Sequence, residues 1–228
     1  MRASLYLAWM VALTAMAVPL LGANPSIAEP RPHVYLLRGL LNVFSMGMDT
    51  LASEIEAHGI QTTVANHTQW QSYADEAAAA YKNHTQGPII LIGHSYGADD
   101  VMVMADYLAK KGVPVALVVP FDADASYSAP ANVGRVLNLT QREYAYMRPG
   151  PGFHGSLVNF DVSTDPNINH LNIDKSARLH AKVINEILAI VGKKHPAATP
   201  AVTHHAPASN GGGTNNGSGG TGVVKPAG

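Results

Sequence analysis

Residues 87–100 read GPIILIGHSYGADD, and they place a serine, Ser95, between Gly93 and Gly97 at the end of an apolar run. The run is short, rich in β-branched residues and opened by Gly87-Pro88, as a buried strand is. Beyond the second glycine, Val101, Met104, Ala105 and Leu108 recur at helical spacing as far as Gly112. The G-x-S-x-G therefore lies on a strand-to-helix junction. Glycines on either side let the chain turn tightly there, and such a turn lifts a serine hydroxyl above the edge of a sheet. The helix that follows offers unpaired N–H groups and the positive end of its dipole to a developing oxyanion.

Working outward, strand-length apolar runs HVYLLRGL, TTVANH, PIILIG, PVALVVPF, VGRVLNL and SLVNFDV occupy the interval from 33 to 162. Helical patterns separate the first four. Met48, Leu51, Ala52 and Ile55 share one face ahead of Gly59, and Ser72 with Asp75 and Glu76 reads as a cap before AAAAY. A last helix is expected from near Asp174, carrying Ala177, Ala181, Ile184, Leu188 and Val191. Strands alternating with helices predict an α/β fold: a mostly parallel sheet of about six strands, flanked by helices in three layers. Ligands of such sheets bind beyond the carboxyl ends of the strands.

A serine hydroxyl becomes nucleophilic only when a base takes its proton. In sheets of this kind the expected order is serine, acid, histidine, each on a loop after a strand. Of the histidines after Ser95, His180 falls inside the last helix and His195 opens the tail. His170, between the final strand and the final helix, is the leading base, with His154 of RPGPGFHGS second. Asp122, at the tip of PVALVVPFD, leads as the acid, followed by Asp124 and then Glu143. An oxyanion hole needs two donors: the N–H of Tyr96, and that of Leu40 or Leu41 after the first strand. SYSAPANVG and REYAYMRPGPGFHGS are the expected walls, with Tyr127, Tyr144, Tyr146 and Phe153 as apolar contacts.

The elbow, the ordered triad and the β/α alternation resemble the α/β-hydrolase superfamily over about residues 33–192, in its compact, lid-poor branch of esterases, small lipases and thioesterases. The resemblance implies Ser95 as nucleophile, His170 as base and Asp122 as the acid that orients it. An acid directly after the strand that follows the nucleophile helix is similar to some lipases, most relatives carrying it one strand later. The chain has Arg38-Gly39 where the family usually has a His-Gly pair. The implied activity is hydrolysis of a carboxylic ester or thioester on a small-molecule or lipid acyl substrate. Acyl transfer by the same triad, or binding on an inactive scaffold, are the alternatives.

The remaining features bound this reading. A net charge of -1 and the lack of long Lys/Arg runs argue against a nucleic-acid partner. With 0 cysteines, thiolate nucleophiles, thiolate metal sites and disulfides are excluded. No H-E-x-x-H, EF-hand, Walker A or dinucleotide glycine pattern occurs, so no cofactor and no metal is expected. Arg2, the apolar stretch from Leu5 to Leu21 and the small pair Ser26 and Ala28 have the layout of a Sec-type secretory signal cleaved after Ala28. A retained anchor is the competing reading. After cleavage the chain would have no membrane span, and the mature domain, 29–192, would be periplasmic or secreted. Residues 193–228 are dominated by Pro, Ala, Thr, Gly, Asn and Ser and read as a disordered tail. Asn66, Asn83 and Asn138 begin N-x-T triplets.

Overall fold

The computed structural model describes residues 30–40 and 45–192. The signal reading at 1–28, the tail reading at 193–228 and the oxyanion role of Leu41 lie outside the described residues. No helix among the described residues is long and apolar enough to cross a membrane.

In chain order, β1 (Arg31–Arg38), α1 (Gly47–Glu56), β2 (Gln61–Asn66), α2 (Trp70–Lys82), β3 (Gln86–His94), α3 (Tyr96–Lys110) and β4 (Leu117–Phe121) form the first half. The second half runs β5 (Ser128–Ala129), β6 (Arg135–Thr140), β7 (Arg148–Pro149), β8 (Ser156–Asp161) and α4 (Ala177–Gly192). Six strands make one sheet in the order β2-β1-β3-β4-β6-β8, every neighbouring pair parallel. The fold is thus α/β with six main strands, and the sheet is wholly rather than mostly parallel. The two-residue strands β5 and β7 pair with each other outside it.

Alternation along each strand divides the core into two layers. Val34, Leu36, Ile90, Ile92, Val119 and Leu139 face α1 and α4, whose Leu51, Ile55, Val183 and Ile187 cover them. Tyr35, Leu37, Ile89, Leu91 and Val118 face the other way, onto Ala74 and Ala77 of α2 and Val101, Met104 and Leu108 of α3. Central strands buried on both faces explain why PIILI and LVV read as unbroken apolar runs. Each such Leu or Ile contributes about 1.5–3 kcal/mol of transfer free energy.

Some boundaries differ from the sequence expectation. α2 starts at Trp70, before Ser72, because Asn66 caps the preceding 3₁₀ turn. Its side chain accepts from the Thr68 N–H at 3.0 Å while Gln69 Oε1 reaches back to the Asn66 N–H at 3.2 Å. Asp174 sits in a separate 3₁₀ turn, Ile173–Lys175, ahead of α4. Asn138 is fully buried within β6, so its N-x-T triplet is not on the surface. Gly59 and Gly112 follow the ends of their helices at φ 75° and 70°, in the left-handed region that favours glycine.

Candidate active site

β3 ends at His94 and α3 begins at Tyr96, so Ser95 alone makes the turn between them. Its backbone sits at φ 57°, ψ -127°, a conformation that side-chain-bearing residues rarely adopt. Two close backbone approaches force this geometry. A Cβ on Gly93 would stand 2.0 Å from the Gly97 carbonyl oxygen, and one on Gly97 would stand 2.2 Å from the Leu37 carbonyl oxygen. The glycines are there because the helix must start hard against β3 and β1. The Ser95 N–H is held by the Phe121 carbonyl at 3.0 Å, while its own carbonyl accepts from Ala98 at 2.7 Å. Those bonds aim the side chain out of the sheet edge.

The chain then brings two distant residues to that hydroxyl. His170 Nε2 lies 3.0 Å from Ser95 Oγ, and His170 Nδ1 lies 2.8 Å from Asp122 Oδ2. Asp122 follows β4 directly, also at positive φ, 53°, with its N–H donating to the Leu139 carbonyl at 2.7 Å. It is fully buried. Its Oδ1 accepts from the Gln141 N–H at 3.0 Å and faces the Thr140 hydroxyl at 3.4 Å. Burial pushes the Asp122 carboxyl up, but the His170 hydrogen bond, the Gln141 N–H and the Arg142 charge outweigh it and hold the group below its ordinary range. A carboxylate kept ionised against Nδ1 fixes the proton on that nitrogen and leaves Nε2 free to accept from the serine.

Arg142 guards this pairing. Its Nη1 donates to Asp124 Oδ1 at 2.6 Å, its Nε stands 3.6 Å from Asp122 Oδ2, and its Nη2 is 3.2 Å from His170 Nδ1. Asp124 is therefore spent on the guanidinium and makes no bond to His170. Glu143 is exposed in the 3₁₀ turn Glu143–Ala145, and His154 is exposed in the loop before β8; neither bonds the serine or the histidine. The structure brings together Ser95, His170 and Asp122, the leading residue in each position, and leaves their rivals apart.

Tyr96, at the first turn of α3, has one of the N–H groups that no helix can pair internally. Leu40 borders the cleft over Ser95, but the Gly39 N–H beside it is already taken by Ser45 Oγ at 2.9 Å. Arg38 turns away to α1 and donates from Nε to Asp49 at 2.9 Å. The cleft over Ser95 encloses about 260 Å³, walled by Leu40, Ser45, Tyr96, Asp124, His170 and Leu171. A wider hollow of about 490 Å³ shares Tyr96 and Asp124 with it and reaches His67, Trp70 and Tyr127.

The expected walls need correction. Tyr127 borders the wider hollow, but Tyr144 and Tyr146 line a separate depression with Arg148 and Asn159, and Phe153 packs against the core. The cleft over Ser95 is walled mainly by residues next to the elbow, the first loop and His170 itself. Sequence reasoning missed Ser45, His94 and Arg142. The only available signal was position: His94 inside the motif, and the other two on loops that follow strands.

A six-stranded parallel sheet with a strained serine between its third strand and the next helix, and an acid and a histidine on later loops, is the α/β-hydrolase fold. Solved structures with a similar backbone include Est1E of Butyrivibrio proteoclasticus, at 11% identity over 74% of this chain and 91% of that one, TM-score 0.47. A lid-less α/β serine hydrolase of Xanthomonas campestris is similar at 12% identity, 77% and 88% coverage and TM-score 0.40. The RedJ thioesterase of the prodiginine pathway of Streptomyces coelicolor is similar at 13%, 76% and 97%, TM-score 0.39. No protein-family model and no curated protein sequence matches the chain.

Proposed function

We propose that the protein is an exported serine hydrolase that cleaves a carboxylic ester or thioester through an acyl-serine intermediate. One observation carries this reading: a buried carboxylate, an imidazole and a hydroxyl lie in line, at 2.8 Å and 3.0 Å, on three separate loops at one edge of the sheet. His170 Nε2 takes the Ser95 proton as Oγ attacks the acyl carbon. The oxyanion so formed is held by the Tyr96 N–H and the Leu40 N–H. The imidazolium passes its proton to the departing alcohol or thiol, and the acyl group stays on Oγ. Water then attacks that carbonyl, giving its proton to His170, which returns one to Ser95 as the carboxylic acid leaves.

A His170 side chain 30% exposed supports hydrolysis over transfer, since water reaches the base. The 260 Å³ cleft, with exposed Leu40 and Leu171 at its rim, suits a short acyl group, and the adjoining hollow suits the leaving group. Export rests on the charged, apolar and small-residue layout of residues 1–28.

The test is a fluorophosphonate label together with hydrolysis of p-nitrophenyl esters of graded chain length. Wild type should label once and prefer short chains. Ser95→Ala should lose the label and lower kcat by about 10⁶. Labelling or turnover that survives in Ser95→Ala would place the nucleophile elsewhere.

A further inference from the structure

The residue before the nucleophile has a second network that the proposed reaction does not use. His94 and Ser45 are each 1% exposed. The Gly39 N–H donates to Ser45 Oγ at 2.9 Å, Ser45 Oγ meets His94 Nδ1 at 2.8 Å, and His94 Nε2 meets the backbone carbonyl of His170 at 2.8 Å. A carbonyl only accepts, so His94 Nε2 carries a proton. In a neutral ring Nδ1 is then a lone pair, and the Ser45 hydroxyl donates into it while accepting from Gly39. Every proton in the chain is accounted for. Burial pushes the His94 imidazole below its ordinary range, against the pull of Asp174, so the neutral ring is the favoured one.

This chain crosses three loops. Gly39 belongs to the loop after β1, which carries Leu40; His94 closes β3 beside Ser95; the His170 carbonyl belongs to the loop after β8. The two imidazoles lie 5.1 Å apart between ring centres. Besides the bond to its carbonyl, the His170 loop is held near the elbow by the side-chain contacts to Ser95 and Asp122 and, through Gln141 Nε2 on the Ile168 carbonyl at 2.5 Å, by a tie two residues back.

We propose that His94 is a positioning residue, whose hydrogen bonds to Ser45 and to the His170 backbone hold the base and the Leu40 loop in register with Ser95. This rests on the assignment of Ser95 and His170 above. A displacement of about 1 Å at a reacting pair costs on the order of 10²-fold in rate, so a fold can stay intact while the chemistry slows.

Three variants separate the arms. His94→Phe keeps a flat ring and removes both bonds. His94→Gln keeps a donor at the Nε2 position and so keeps the bond to His170. Ser45→Ala removes the Nδ1 partner, and with it the acceptor of the Gly39 N–H, while leaving the bond to His170. With a p-nitrophenyl ester as substrate, His94→Phe should lower kcat by about 10–100-fold with KM within about threefold. His94→Gln should recover much of that loss, and Ser45→Ala should cost less in the His94→Phe background than in wild type. If His94→Phe does not fold, His94→Gln and Ser45→Ala carry the test by the same kcat-against-KM split. The proposal is overturned if His94→Phe, or Ser45→Ala where His94→Phe does not fold, keeps kcat within about threefold of wild type. It is overturned equally if lost activity follows lost melting temperature, with no recovery by glutamine. Neither result touches the nucleophile: that reading fails only if Ser95→Ala still turns over.

Discussion

Replacing Asp122 by asparagine changes one atom in a buried site and should disable the base without moving it. Asp122 Oδ1 accepts from the Gln141 N–H, so an asparagine would keep its carbonyl oxygen there and turn its NH₂ toward His170 Nδ1. That NH₂ donates. It demands a lone pair on Nδ1 and drives the ring proton to Nε2, where it faces Ser95 and blocks proton transfer. Arg142 strengthens the effect, because its Nη2, 3.2 Å from Nδ1, is a second donor competing for the same lone pair. The wrong-tautomer penalty known for triad acids is about 10⁴ in kcat, about 5.5 kcal/mol of transition-state stabilisation. The assay is steady-state hydrolysis of p-nitrophenyl butyrate at pH 7.5, with Ser95→Ala as the floor and circular dichroism melts as the control for folding. Asp124→Asn should cost no more than about tenfold, since Asp124 touches Arg142 and not the histidine. A folded Asp122→Asn retaining a tenth of wild-type turnover, beside a crippled Asp124→Asn, would refute the reasoning and hand the acid's role to Asp124.

Other expectations concern the scaffold. Gly97→Ala should destabilise by about 3 kcal/mol in urea unfolding, because its Cβ would meet the Leu37 carbonyl at 2.2 Å and push α3 off β1; an unchanged midpoint would show that the two elements separate freely. Ser95→Gly should melt above Ser95→Ala, both lacking the hydroxyl, by about 1–2 kcal/mol of relieved backbone strain net of glycine's entropy. Acid should weaken the fold in two windows. His94 is held below its ordinary value, so its contribution is complete above pH about 6.5 and is lost as pH falls through its folded value. Asp122 is likewise depressed, and its share is lost only below pH about 4. Melts from pH 7.5 to 5 should therefore fall more steeply in wild type than in His94→Gln, and parallel curves would remove His94 from the account.

What the sequence made legible was whatever depends on local pattern. The apolar run before Ser95 and the heptad-like spacing after it identify the junction, and the order serine, acid, histidine follows from where loops after strands can meet. The contest among Asp122, Asp124 and Glu143 could not be settled so, because it turns on the direction in which a side chain leaves a strand end. Asp122 is the one that meets His170, turned there by its positive φ and its bond to Gln141, neither of which has a sequence signature. The cleft walls were misplaced for a related reason. Tyr144 and Tyr146 follow β6 in sequence, but Tyr146 Oη bonds Asp161 Oδ2 and both residues border the depression beside Arg148 and Asn159 rather than the cleft over Ser95. Ser45 and Arg142 are ordinary residues until tertiary contacts give them a partner.

The two positions where the backbone departs from ordinary geometry suggest why the site stands where it does. Apart from His84, Ser95 and Asp122 are the only non-glycine residues among those described with positive φ, and each directly follows a central strand of the sheet. Glycine would relieve both positions, yet neither can be glycine if a hydroxyl and a carboxylate are to be presented there. Each such residue costs about 1–3 kcal/mol. The cost is tolerable only where the flanking chain cannot relax, and β3 and β4 are the strands buried most completely on both faces, with the Ser95 N–H tied to the Phe121 carbonyl across them. A rigid pair of strands thus holds two strained turns side by side, and the strain raises Ser95 and Asp122 to the same edge. Only His170 comes from a more distant loop, beyond the peripheral strand β8. His170 is therefore the member of the proposed triad with most to gain from added ties, such as the one His94 Nε2 makes to its carbonyl.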